Sequence, residues 1–182
     1  MEKKLTVAIY SGVIPSTNFI ENLIQSIATK NTFVYLFGKS KGDVKYYNKN
    51  ICLFLIPTKR LKLFFFVLFQ MLQLIIFSPL NFIKLFAHFI NLYGDKRIYF
   101  FQWWSKVLPI VNNLPNIFHI QWAKALPEWF FLKDIFGVKI ILSLRGAHIN
   151  YSPLADDQLA KILSSLFPQN RLLPCCLKIN ST

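Results

Sequence analysis

Arg145, Gly146 and His148 stand together where the apolar run "KIILSL" gives way to "RGAH". A guanidinium can grip a phosphate through two parallel hydrogen bonds. An imidazole titrates near neutrality, so it can bond a sugar hydroxyl or take its proton. Gly146 between them offers a flexible joint. Two other apolar runs end in polar or glycine-bearing residues: "KLTVAIYSG" leads into Ser11, Gly12 and Val13, and "NIFHIQWA" carries His119 and Gln121 before Trp122. In an extended chain His119 and Gln121 alternate with Ile120, so both face one side. Each group also has a plainer reading, with Gly146 as a turn residue and each histidine as a structural side chain near a strand end.

The elements that deliver these groups follow from the hydrophobic pattern. "KLTVAIYSG" is β-branched and ends at Ser11 and Gly12, and Asn18 with Glu21 three residues later has the spacing of a capping box opening a helix. Ile20, Leu23, Ile24 and Ile27 recur at helical intervals behind it. "TFVYLFG" and "ICLFLIP" are short continuous apolar runs, the pattern of strands buried on both faces. Ile98, Phe101, Trp104, Leu108 and Val111 mark a further helix, with Pro109 expected to kink it. "LPEWFFLKDIFG" reads as one helix ended by Gly137, between the strands "NIFHIQWA" and "VKIILSL". Strands alternating with helices over most of the chain predict a single α/β domain, a Rossmann-like doubly wound parallel sheet. Such a sheet gathers the carboxyl ends of its strands on one rim, where ligands bind. The first helix would point its amino end at that rim and offer backbone N–H groups to a phosphate.

Composition narrows the partners. Lysine and arginine outnumber acids 21 to 8 among 182 residues, for a net charge of +13, which favours phosphorylated substrates, anionic lipid or nucleic acid. Hydrophobic residues make up 54%, and mean hydropathy is +0.39, so contact with something apolar is expected. Residues 59–93 concentrate it. Lys59, Lys62, Gln70 and Gln73 fall on one helical stripe and nearly all else is apolar. The apolar stretch 63–77 is short of the roughly 20 residues a bilayer span needs. Two helices, about 63–77 and 80–92, are therefore expected to pack on the sheet with one face on a membrane surface, a transmembrane hairpin being the competing reading. The basic, tyrosine-bearing stretch 39–50 could bind single-stranded nucleic acid, but it has no accompanying motif and reads as a solvated loop. Cys52, Cys175 and Cys176 have no zinc-type spacing and suit a reducing, cytoplasmic setting. The amino-terminal run lacks an A-x-A-type cleavage site and reads as a first strand rather than a signal peptide. No G-x-x-x-x-G-K-[ST], G-x-G-x-x-G or G-x-S-x-G occurs, which argues against nucleotide hydrolysis, dinucleotide binding of the usual kind and α/β-hydrolase chemistry.

Three segments in order carry a family resemblance: "SGVIPSTNFIENLI", "FHIQWA" and "SLRGAH". Over about residues 4–168 the chain resembles the amino-terminal, acceptor-side half of bacterial glycosyltransferases of family 4, which have the GT-B fold. The resemblance implies transfer of a hexose from a nucleotide sugar to a lipid-linked glycan in cell-surface polysaccharide synthesis, with no metal or other cofactor and no nucleic-acid partner. It implies Arg145 and His148 as catalytic residues, and Ser11, Gly12, Val13, Pro15, His119, Gln121, Gly146 and Asn150 as substrate-binding ones. Arg145 stands where the family's H-G-x-D segment has its histidine, and His148 where it has its aspartate, so roles by position are shifted. After Phe167 and Pro168 the family continues into a second, donor-binding domain with paired glutamates. Here residues 169–182 follow as an irregular tail, so the expectation is a truncated or frameshifted enzyme that is catalytically silent alone. Its expected place is the cytoplasmic side of the cell membrane, held peripherally by anionic lipid. The alternative is a non-enzymatic basic protein binding such a surface.

Overall fold

The computed structural model describes residues 4–42, 46–94 and 100–143. Its centre is a five-stranded, all-parallel sheet of order β3-β2-β1-β4-β5. The strands are β1 (Leu5–Ile14), β2 (Thr32–Ser40), β3 (Ile51–Leu55), β4 (Ile117–Ile120) and β5 (Lys139–Leu142). The helices are α1 (Asn18–Ile27), α2 (Arg60–Phe77), α3 (Pro79–Tyr93), α4 (Phe100–Asn112), α5 (Leu126–Trp129) and α6 (Phe131–Phe136). This is the Rossmann-like doubly wound arrangement that the alternation predicted.

From β1 the chain steps outward to β2 and β3, then returns across the sheet to β4 and β5 on the other side. Crossovers of one hand that run in opposite directions put their helices on opposite faces. Two separate cores result. On one face Ile9, Val34 and Leu36 pack against Ile20 and Ile24 of α1. On the other, Ala8, Phe37 and Phe118 pack under α2 to α6, among Val67, Leu74, Trp104, Leu108 and Leu132. The sequence reason is the alternation inside each strand, which sends successive residues to opposite faces.

Several local details depart from the sequence reading. β1 does not end at Ser11 and Gly12. It bulges there, with Gly12 at φ 58°, and resumes as Val13 opposite Lys39 and Ile14 opposite Ser40. A positive φ is the conformation glycine adopts without steric cost. The capping box is also displaced. Thr17 is the N-cap and makes no side-chain cap bond, while the Glu21 carboxylate accepts the Ser16 backbone N–H at 2.6 Å and the Tyr46 hydroxyl at 2.6 Å. The stretch expected as one helix over 126–137 is two, α5 and α6, meeting at Phe130 behind a 3-10 turn at Ala123–Ala125. Gly137 does close α6 as expected, at φ 69°. Pro109 lies inside α4, which runs on to Asn112.

Candidate functional site

The order of the strands reverses between β1 and β4, and a cleft of about 200 Å³ opens there at their carboxyl ends. This is the topological switch point, where open α/β sheets bind ligands. The opposite ends of the same two strands are closed by Asn116, whose Oδ1 accepts both the backbone N–H and the hydroxyl of Thr6 at 2.9 Å. Asn116 therefore ties one end of the β1–β4 seam shut, while the other end stays open as the cleft.

Each wall has a local cause. β1 brings Tyr10, Ser11 and Gly12, and the bulge turns Ser11 to accept no strand partner, its hydroxyl donating instead to the Val13 carbonyl at 3.0 Å. β4 brings Phe118, His119 and Ile120, and the chain leaving it brings Gln121 and Trp122. Helix α5 and the turn before it close the far side with Ala125, Glu128 and Trp129. Trp129 lies 5.0 Å from the Tyr10 ring and 5.1 Å from Phe118, so an aromatic wall backs the cleft. Burial, and after it the charge of Glu128, pushes the Tyr10 phenol up to about 12, so Tyr10 stays a hydroxyl donor at neutral pH. Glu128 pairs with Lys106 at 2.8 Å on the rim.

Two β4-end groups differ in their commitments. His119 Nε2 lies 2.8 Å from the Ser143 hydroxyl, and burial lowers the His119 pKa, which keeps its ring neutral. Gln121 is 2% exposed, and neither its amide nitrogen nor its carbonyl oxygen has a hydrogen-bond partner. Leaving such an amide unpaired costs on the order of 1–3 kcal/mol. A ligand that presents both a donor and an acceptor in the cleft would recover that cost.

Of the expected site residues, Ser11, Gly12, His119 and Gln121 come together here. Val13 and Pro15 do not line the cleft, because the bulge continues β1 past it and Val13 pairs along Lys39 instead. Arg145, Gly146, His148 and Asn150 lie outside the described residues, as does the tail 169–182. The phosphate expected at the amino end of α1 would meet the Glu21 carboxylate, a negative charge at the wrong place. Tyr10, Glu128, Trp129 and Ser143 were not expected. Ser143 could have been found as the last polar residue of its apolar run and Tyr10 as the neighbour of Ser11, but nothing local marks Glu128 and Trp129, which arrive by the packing of α5. Among the described residues no group of three or more His, Cys, Asp or Glu side chains converges.

Fold and cleft define the chain as a doubly wound α/β protein with an open cleft at its topological switch point. Comparison with family models, curated proteins and solved structures finds no match.

Proposed function

We propose that this chain is the acceptor-side domain of a glycosyltransferase working at a membrane surface, with the switch-point cleft as its sugar site. The observation that carries the reading is Gln121, a buried amide with both ends unpaired, in a cleft backed by Trp129, Tyr10 and Phe118. A pyranose offers hydroxyls that donate and accept at once, and an apolar C–H face that packs on aromatic rings. In this reading Gln121 bonds one hydroxyl, Tyr10 and Ser11 bond others, and Trp129 backs the ring. The GT-B resemblance supplies the reaction: an acceptor hydroxyl attacks the anomeric carbon of a nucleotide sugar, the bond to the nucleoside diphosphate breaks, and the hydroxyl proton passes to a base. His148 is the resemblance's candidate for that base, and the lipid-linked acceptor would be met on the cytoplasmic side of the membrane.

The test reads binding rather than turnover. Saturation-transfer NMR of the full chain with methyl glycosides of glucose, galactose, mannose and N-acetylglucosamine should show transfer to at least one sugar. Gln121→Leu should abolish it while leaving stability unchanged or higher, because the variant removes an unpaired buried amide without opening a cavity. Transfer to none of these sugars, or equal transfer with Q121L, would reject the sugar site. The alternative, a non-enzymatic protein of anionic membrane surfaces, is favoured by a second observation: α2 and α3 expose most of their large apolar side chains.

A further inference from the structure

We infer that the α2–α3 hairpin is a membrane-docking face that lies flat in the boundary between headgroups and acyl chains of an anionic bilayer, without crossing it. This deepens the membrane-surface part of the reading above, on which it rests, and is independent of whether the cleft takes a sugar.

The first ground is the polarity of α2. Its protein side carries Val67 and Leu74, both buried, but also Gln70, which accepts hydrogen bonds from Asn112 of α4 at its backbone carbonyl (3.0 Å) and its side-chain oxygen. Its outer side carries nine large apolar residues that are at least 41% exposed, and α3 adds five more. Leu61, Phe65, Phe69, Ile76, Phe77 and Leu80 are each exposed by 59–78%. At 100° per residue, Leu61, Phe65, Leu68, Phe69, Leu72 and Ile76 fall on one continuous arc that contains no polar residue. A polar residue turned inward beneath an apolar outer surface is the arrangement of a helix whose outer solvent is not water. Exposed apolar patches of this extent on soluble monomers mark an interaction surface.

The second ground is charge, and it selects the partner. Residues 59–93 contain no Asp or Glu, while Lys59, Arg60 and Lys62 sit at the amino end of α2, all exposed, and Lys84 lies exposed on α3. Cations beside an apolar arc meet lipid phosphates while the arc meets acyl chains. A second copy of the chain would instead bring the same cations, and a net charge of +13, against themselves.

The third ground fixes the orientation. α2 has 18 residues, a length of about 27 Å, and is apolar enough to cross a bilayer, so the choice between crossing and lying flat rests on how it is fastened. It is fastened along its length: Val67 and Leu74 belong to the main core and Gln70 is tied to α4. Turning α2 upright would strip that core and leave Asn112 without its partner. Lying flat keeps every inner contact and leaves the cations at the level of the headgroups.

The experiment is flotation of the full chain with vesicles of phosphatidylcholine alone and of phosphatidylcholine with phosphatidylglycerol, followed by alkaline carbonate extraction. The expected result is binding to the anionic vesicles, release by carbonate, and loss of at least about tenfold in affinity in both Phe65→Glu/Phe69→Glu and Lys59→Glu/Arg60→Glu/Lys62→Glu. Both variants change exposed side chains, and circular dichroism of each should match the parent. Retention after carbonate would mean that the hairpin crosses the bilayer, and would overturn the flat arrangement. Binding that F65E/F69E leaves intact would overturn the face. Absence of vesicle binding would overturn the proposal outright, and a dimer that F65E/F69E dissociates in sedimentation would assign the face to a second copy. None of these outcomes depends on Gln121.

Discussion

α1 and α2 lie on opposite faces of the same sheet, α1 against β2 and α2 against α4 and α3, and they differ in what they leave outside. α1 turns Ile20 and Ile24 to the core and leaves Asn18, Asn22, Gln25 and Ser26 outside. α2 buries Val67 and Leu74, turns Gln70 inward, and leaves Phe65, Leu68, Phe69 and Leu72 outside. Each helix has only two fully buried side chains. The outer residues differ: mostly polar on α1, with Phe19 as the exception, and almost wholly apolar on α2, as the proposed membrane face requires. A hydrophobic residue is thus a statement about its surroundings, and the core is only one of the surroundings available.

A buried charge separates the two helices most visibly. Ile24→Asp puts an unpaired carboxylate in the α1 core, where Ile24 is fully buried, and is expected to cost more than about 4 kcal/mol and to leave the chain largely unfolded in urea titration. Leu68→Asp, at a position 45% exposed on α2, is expected to cost less than about 1 kcal/mol in the same buffer. Equal losses would mean that α2 is covered within the protein, and the contrast would fall. A milder change sharpens it. Asn112→Ala removes the donor that holds Gln70 inward and should cost about 1 kcal/mol, read as a lowered urea midpoint with an unchanged slope. No change at all would show that the inward glutamine is incidental.

The smallest expected effect is on pH. Burial lowers the pKa of His119, and of His88 as well, where Asp134 partly opposes it. A histidine depressed in the folded state contributes stability that is complete above its usual value of 6.5 and is lost as pH falls from there towards the folded value, because the unfolded chain then binds more protons. Urea midpoints should therefore drop modestly between pH about 7.5 and about 5.5, and His119→Gln should flatten part of that slope. A midpoint that rises over the same interval would mean that His119 is charged beside Ser143.

The alternation of strands and helices, the parallel sheet and the convergence of Ser11, Gly12, His119 and Gln121 were all legible in the sequence. They depend on local rules: short continuous apolar runs make strands buried on both faces, period-3.6 runs make helices, and a parallel sheet brings the carboxyl ends of its strands to one rim. The two helices of residues 59–93 were legible for the same reason, and so was the hydrophobic surplus they carry. Chain geometry over a few residues was enough for each of these.

Tertiary structure alone decided the rest. The bulge at Ser11 and Gly12 exists because β1 must keep pairing with β2 as far as Ser40, and this takes Val13 and Pro15 away from the cleft. Glu21 reaches Ser16 and Tyr46 because the chain around residue 46 packs beside α1, a contact between residues 25 positions apart. Tyr10, Glu128 and Trp129 meet because α5 folds over the β1–β4 seam. The side of α2 that faces water or lipid was open in the sequence, since an almost uniformly apolar helix has little polarity to orient it. Its inward side meets a partner 42 residues away, Asn112 on α4, which donates to the Gln70 backbone carbonyl and side-chain oxygen. Sequence patterns are set by neighbours along the chain, whereas a cleft and a docking face are set by neighbours across it.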